Sequence, residues 1–255
     1  MDNVLTVKGL IVRTIDMGES DRLMSVLTAE HGLLSVMGKG VRSIKSQRLH
    51  LAQLFTYCEM TISLRAGLYY LKEGTIIENF YSIRENIVSF SLAQYLAEIV
   101  SSVAVQDDNQ ENVLRLTLNT LFAIANNLEQ PELIKATFEF RLMCEIGYSP
   151  DLAECSECGK DSLPRFFSVA EGTTLCQECI EKRNDKDDYY LIEESLFRVL
   201  VYLQNSDLKK LYAYKPEEGV RHIFYSLAEN YLLYHLERNF DTLQFYKQII
   251  NYREQ

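Results

Sequence analysis

No run in this 255-residue chain is apolar for long enough to cross a bilayer, so no membrane partner is expected. The opening residues, Met1-Asp2-Asn3-Val4, show no basic region followed by an apolar stretch. No export signal is therefore expected, and the thiols should stay reduced, as in the cytoplasm. A nucleoside-triphosphate site is also missing. Gly32 precedes Gly38-Lys39 by one residue too many for a P-loop, and Gly40 stands where the magnesium-binding hydroxyl belongs. There is no Gly-x-Ser-x-Gly elbow. The four histidines (His31, His50, His222 and His235) have no zincin spacing. Nothing in the pattern assembles a nucleophile, a base and an orienting group, and the chain is not expected to be an enzyme. Internal repeats and low-complexity segments are lacking too. The 47% hydrophobic and 24% charged content fits one large globular domain or two to three small ones.

What is present begins with four cysteines. Cys155-x-x-Cys158 is followed after seventeen residues by Cys176-x-x-Cys179, and two such knuckles can aim four sulfurs at one tetrahedral Zn²⁺. Two disulfides or a redox pair are the alternatives. Reduced thiols and the lack of a βαβ pattern beside either motif favour one structural zinc per chain. Four thiolates leave no open position on the metal, so the ion would fold a local element and perform no chemistry. Between the knuckles, Arg165–Val169 is expected to be one strand of a small hairpin. Cys58 and Cys144 stand among apolar residues and are expected to be core thiols.

The formal net charge is −10, but it is unevenly spread. Residues 1–80 hold nine Lys/Arg and eight Asp/Glu, and the remainder is net −11. Between Glu30 and Glu59 there is no carboxylate, while Lys39, Arg42, Lys45 and Arg48 recur at every third residue. An anionic polymer would be accepted there and nowhere else as readily. On charge alone a solvated loop and a phosphate-binding loop are both open.

Periodicity divides the chain. Leu54 to Arg65 alternates with period two, and Val7–Ile15, Arg22–Thr28 and Leu33–Met37 are β-rich between glycine turns. Five short strands suggest a small closed barrel, with 38–48 as a loop. Such barrels carry single-stranded nucleic acid on basic grooves with stacking aromatics, here Phe55, Tyr57, Tyr69 or Tyr70. Four phosphate contacts would give a log–log salt slope of roughly −3.6 on duplex and roughly −2.8 on single strand, without reading sequence. From about residue 85 the period becomes helical: Leu92/Leu96/Ile99/Val103, Leu114/Leu118/Leu121/Ala125/Leu128, then Ile134/Phe138/Leu142 behind Pro131. After an acidic polar stretch at 184–188, helical spacing returns at 193–203 and 220–236. The expected architecture is α+β and multi-domain: a five-stranded barrel (1–80), an all-α domain (81–150 and 184–255) and a small four-cysteine zinc-binding insertion (151–183).

Specific residues then match a known family. Gly18-Glu19-Ser20-Asp21-Arg22-Leu23, Leu27-Thr28-Ala29-Glu30-His31-Gly32 and Gly38-Lys39-Gly40-Val41-Arg42 closely resemble the N-terminal signature of the bacterial DNA repair protein RecO family. Gly147-Tyr148-Ser149-Pro150, leading into the cysteine pairs, resembles that family's zinc region. The resemblance runs in order along the whole chain. It implies an N-terminal oligonucleotide/oligosaccharide-binding (OB) fold, a central helical domain and a zinc module. It also implies a recombination mediator that binds single- and double-stranded DNA and anneals complementary strands. With RecR it would help RecA load on DNA coated by single-strand-binding protein (SSB), placing the protein in the cytoplasm at the nucleoid. Under that resemblance Lys39, Arg42, Lys45 and Arg48 grip phosphates, with Arg13 and Arg22 as additions. Arg22 is equally open to a structural ion pair. The acidic SSB tail is expected on the helical domain, with Lys135, Arg141, Lys209, Lys210, Arg221 and Arg238 as candidates. The alternative is a non-catalytic interaction scaffold whose barrel docks RecR.

Overall fold

Residues Asn3–Met17 form one long strand, β1, whose two halves pair with different neighbours in a computed structural model. Asn3–Leu10 lie antiparallel to β4 (Tyr57–Arg65), and Gly9–Met17 lie antiparallel to β2 (Asp21–Thr28), with a register shift between Ile11 and Arg13. Bulges of this kind sharpen the local twist and bend a strand from one partner to the next. β2 pairs with β3 (Leu33–Gly38), β4 pairs with β5 (Leu68–Glu78), and a short parallel contact of β3 with β5 completes the ring. The order β1-β2-β3-β5-β4 is a closed barrel of the OB type. Alternation explains its filling: Cys58, Met60 and Ile62 point inward with Ile11, Met24, Val26 and Val36, while Glu59 is exposed. The structure describes residues 3–183 and 189–253, and the polar stretch 184–188 lies outside them.

The chain forms two compact units, Met1–Asn126 with Phe240–Gln255 and Asn127–Asn239. The first holds the barrel with α1 (Ile87–Val103), α2 (Glu111–Ala125) and α7 (Asp241–Arg253). Asn86 caps α1, its side-chain oxygen accepting the N–H groups of Val88 and Ser89. The apolar stripe of α1 is buried at Leu92, Leu96 and Ile99, and Tyr95 meets Phe240 edge to face at 5.8 Å. Leu128, read as the end of the second helical stripe, falls beyond α2 and is exposed.

The second unit is built on α3 (Pro131–Glu145), α5 (Glu194–Asn205) and α6 (Glu218–Leu236). Pro131 occupies the first turn of α3, where its missing N–H is no loss. The cysteine-bearing segment belongs to this unit. The expected hairpin exists as β6 (Arg165–Ser168) and β7 (Thr173–Cys176), but a third strand, β8 (Tyr189–Ile192), pairs with β6 on its other side. A four-residue helix, α4 (Gln177–Ile180), follows β7. Among the described residues no helix is long and apolar enough to cross a membrane.

Candidate functional site

The basic loop leaves the barrel where β3 ends. A Cβ on Gly38 would fall 2.8 Å from the Val41 side chain, and Gly40 takes a left-handed φ of +65°. A side chain at Gly38 would crowd Val41, and the left-handed backbone at Gly40 favours glycine. Val41, Leu51 and Ala52 are buried in the barrel core, so the loop is rooted at both ends. The pairing of Arg22 with Gly38 brings Asp21 beside the turn. There Asp21 Oδ1 accepts the Gly40 N–H at 2.8 Å, and Oδ2 accepts from Lys39 Nζ at 2.6 Å. The Lys39 hydrogen bond, followed by that of Gly40, holds the Asp21 carboxyl below the usual range, and the Asp21 hydrogen bond raises Lys39.

Four of the six basic residues singled out from the sequence are engaged within the protein. Arg42 Nε lies 3.3 Å from Asp16 and its Nη1 donates to the Gly18 carbonyl. Arg22 donates to Asp16 at 2.8 Å and to the Ala52 carbonyl at 3.0 Å, so it is a structural ion-pair member. The Arg22 hydrogen bond is the largest influence lowering Asp16. Arg48 spans the loop base, donating to the carbonyls of Leu71, Lys72 and Lys39. Lys39 also makes its Asp21 pair, but its side chain remains 63% exposed. Lys45 is exposed and makes no ion pair among the described residues. Arg13 is exposed on β1, on the opposite strand face from Asp16 by alternation, and does not join the loop. Asp16 and Asp21 are thus site residues that charge counting overlooked. The Glu-Ser-Asp-Arg run next to a hairpin partner of Gly-Lys-Gly was the available signal.

The aromatic candidates separate as sharply. Phe55 is 1% exposed and packs edge to face on Phe90, so it cannot stack a base. Tyr69 packs on the barrel core, and Tyr57 lines a cavity of about 370 Å³ with Glu30 and Arg115. Tyr70, on the other face of β5 from Tyr69, remains half-buried near Lys39.

In the second unit the four cysteines converge. The Sγ atoms of Cys155, Cys158, Cys176 and Cys179 all lie within 4.8 Å of one another. Cys158 and Cys176 are 3.7 Å apart, near the ~3.8 Å that a tetrahedron of ~2.3 Å metal–sulfur bonds requires. The thiols are free, not paired as disulfides. The first knuckle is closed by Gly159 N–H donating to the Cys155 carbonyl at 2.9 Å. β7 delivers Cys176, and α4 delivers Cys179. Burial opposes ionisation of Cys155, yet the backbone N–H groups of Cys176, Cys158 and Glu157 bring its pKa down to about 6. Such a donor set suits a soft or borderline metal ion. Cys58 and Cys144 are the contrast, with burial pushing their thiols up to about 12 and about 11.

Behind the knuckles stands Arg165, fully buried. Its guanidinium donates to the carbonyls of Leu152, Ala153 and Ser162 and to Asp161, and it lies 5.0 Å from the Phe197 ring centroid. Two cations considered for an acidic tail are also internal. Lys135 lies between Glu139 at 2.9 Å and Glu229 at 2.8 Å with its side chain 7% exposed. Arg141 donates to Glu145 and to the carbonyls of Leu203 and Gln204.

Residues 1–80 match the family described as Recombination protein O N terminal, and residues 84–244 match Recombination protein O C terminal. The DNA repair protein RecO of Acetivibrio thermocellus is 29% identical over 250 residues, covering 97% of this chain and 98% of its own length. The DNA repair protein RecO of Dehalococcoides mccartyi is 30% identical over 210 residues, covering 82% of this chain and 81% of its own. That of Halalkalibacterium halodurans is 29% identical over 212 residues, covering 82% of each. With both halves matched in order around a closed barrel and a four-cysteine cluster, the chain belongs to the RecO family of DNA repair proteins.

Proposed function

We propose that this protein is a non-catalytic recombination mediator. It binds single- and double-stranded DNA through the 38–48 loop on the 1–80 barrel and anneals complementary strands. With RecR it assists RecA loading on SSB-coated DNA in the cytoplasm, at the nucleoid. The observation that carries this reading is the rooted, glycine-turned loop presenting Lys39, Arg42 and Lys45 from a closed OB-type barrel. Exposed ion pairs contribute little net stability, so phosphates can replace Asp21 and Asp16 as partners of Lys39 and Arg42. Arg48 and Arg22 hold the loop in shape, and Arg13 adds charge elsewhere on the barrel. Three phosphate contacts instead of four lower the expected salt slope to about −2.7 on duplex and about −2.1 on single strand. One structural Zn²⁺ held by Cys155, Cys158, Cys176 and Cys179 orders the 151–183 module, and the helical body (81–150 and 184–255) receives the SSB tail.

The test is annealing of complementary strands coated with cognate SSB, with and without RecR. Reversing Lys39, Arg42 and Lys45 to glutamate should abolish single-strand binding and annealing while the fold is retained. Parent-like annealing by that variant would sink the loop assignment. The second reading, a scaffold whose barrel docks RecR, draws on the charge compensation by Asp16 and Asp21 and the net charge of −10. Absence of binding to any oligonucleotide at low salt in fluorescence anisotropy would favour it.

A further inference from the structure

A tight turn within the basic loop carries an isoleucine. Ser46 N–H donates to the Ser43 carbonyl at 2.8 Å, which puts Ile44 and Lys45 at the two corners of a tight turn. Ile44 is 98% exposed. Turn corners ordinarily carry Gly, Pro, Asn, Asp or Ser, each for a conformational reason. A β-branched apolar side chain supplies none of these and buries nothing there. The turn is also held out on a braced stem. Arg42 N–H donates to the Ser20 carbonyl at 2.9 Å, Arg48 ties the stem to β5, and Val41, Leu51 and Ala52 anchor it in the core.

Single exposed apolar residues are ordinary on protein surfaces. The setting of this one identifies its partner. Its chain neighbours Arg42, Ser43, Lys45, Ser46 and Gln47 are all polar or cationic, so within this turn it is a single apolar side chain between cations. Membrane insertion calls for a broad apolar face, and a protein hot spot calls for a packed, desolvated surround. A stack of bases flanked by phosphates offers a slot for one aliphatic side chain between two cations. We infer that Ile44 is a base-contacting wedge: Arg42 and Lys45 take phosphates while the Ile44 side chain packs against or between bases of a single strand. This rests on the loop being the DNA-binding element, and it adds a contact to bases that cations alone do not make. Unstacking at the wedge would expose base edges for pairing, which is the step annealing needs.

The test uses the full chain, a labelled single strand containing 2-aminopurine, and an abasic strand of the same length. The parent should prefer the base-bearing strand by about tenfold, from burial of one aliphatic side chain, and should brighten 2-aminopurine. Ile44→Ser should erase both effects while leaving the salt slope as in the parent; Ile44→Phe should keep both. The inference is overturned if Ile44→Ser retains the preference, or if the parent shows none. Failure of the underlying loop reading looks different. In that case neither strand binds, or binding survives reversal of Lys39, Arg42 and Lys45. Ile44-dependent binding to anionic phospholipid vesicles in place of either strand would also overturn it, in favour of a lipid contact.

Discussion

Asp16 and Asp21 decide how much positive charge the loop offers. Each compensates a cation that a phosphate would otherwise meet bare, and Asp21 also ties down Gly40. The double change Asp16→Asn and Asp21→Asn keeps acceptor oxygens and removes the competing charge. It should tighten single-strand binding several-fold and steepen the salt slope in anisotropy titrations; unchanged affinity and slope would show that these carboxylates do not compete. The pH dependence of the anchor follows from the same contacts. Because Lys39 holds the Asp21 carboxyl below its ordinary value of 3.8, the anchor is fully present above that value. It is lost only as pH falls below it. The Gly40 amide resonance should stay fixed from neutrality down to that point and move beneath it. The basic spacing was legible in the sequence, but its partners were not. A charge pattern records which cations lie near one another along a strand, whereas Asp21 reaches Lys39 across a hairpin.

At the scale of elements, the cysteine module is woven into its unit. Phe167 on β6 is buried against Tyr231 of α6, with ring centroids 5.3 Å apart, and His235 of α6 reaches the Val169 carbonyl at 2.9 Å. Replacing Cys155 or Cys176 with Ser should therefore release metal and raise hydrogen exchange through Asn127–Asn239, leaving the barrel's protection unchanged. Loss confined to 151–183 would show the module to be an appendage. Acid should act in the same direction, since protons compete with metal for thiolates: metal loaded at neutral pH should be released as the solution is made acidic. Arg165→Met strips four hydrogen-bonding partners of their donor and should cost about 3 kcal/mol. That corresponds to a fall in Tm of roughly 6–12 °C in a chain of this size. The cysteine spacing announced the cluster. Arg165 gave no signal, because a lone arginine in a hairpin looks like an ordinary surface cation. Lys135 misled for a related reason. It was named as a candidate for an acidic tail on a helix read as one-faced from Ile134, Phe138 and Leu142, but α3 is buried continuously from Leu133 to Phe140.

For the whole molecule, the contrast between a near-neutral first 80 residues and a remainder of net −11 orders how it meets a polyanion. Approach through the loop is tolerated, and approach through the acidic remainder is repelled. Magnesium should therefore raise duplex affinity at low ionic strength, through screening of the remainder; an equal loss with any added salt would point to the loop alone. Strands and long helices were legible because their periods are strong. α7 was not: among the described residues only Leu243 and Tyr246 are buried along it, with Phe240 just before its first turn, a stripe too narrow to stand out. β8 escaped because its four residues make sense only beside β6. The hoop of strands carries one last implication. Its clasp is short: β3 and β5 pair at Val36–Tyr69 and Met37–Tyr70, and just past them Arg48 covers the carbonyls of Leu71 and Lys72. The basic loop is therefore part of what fastens the hoop, and a change that frees its base loosens the barrel as well.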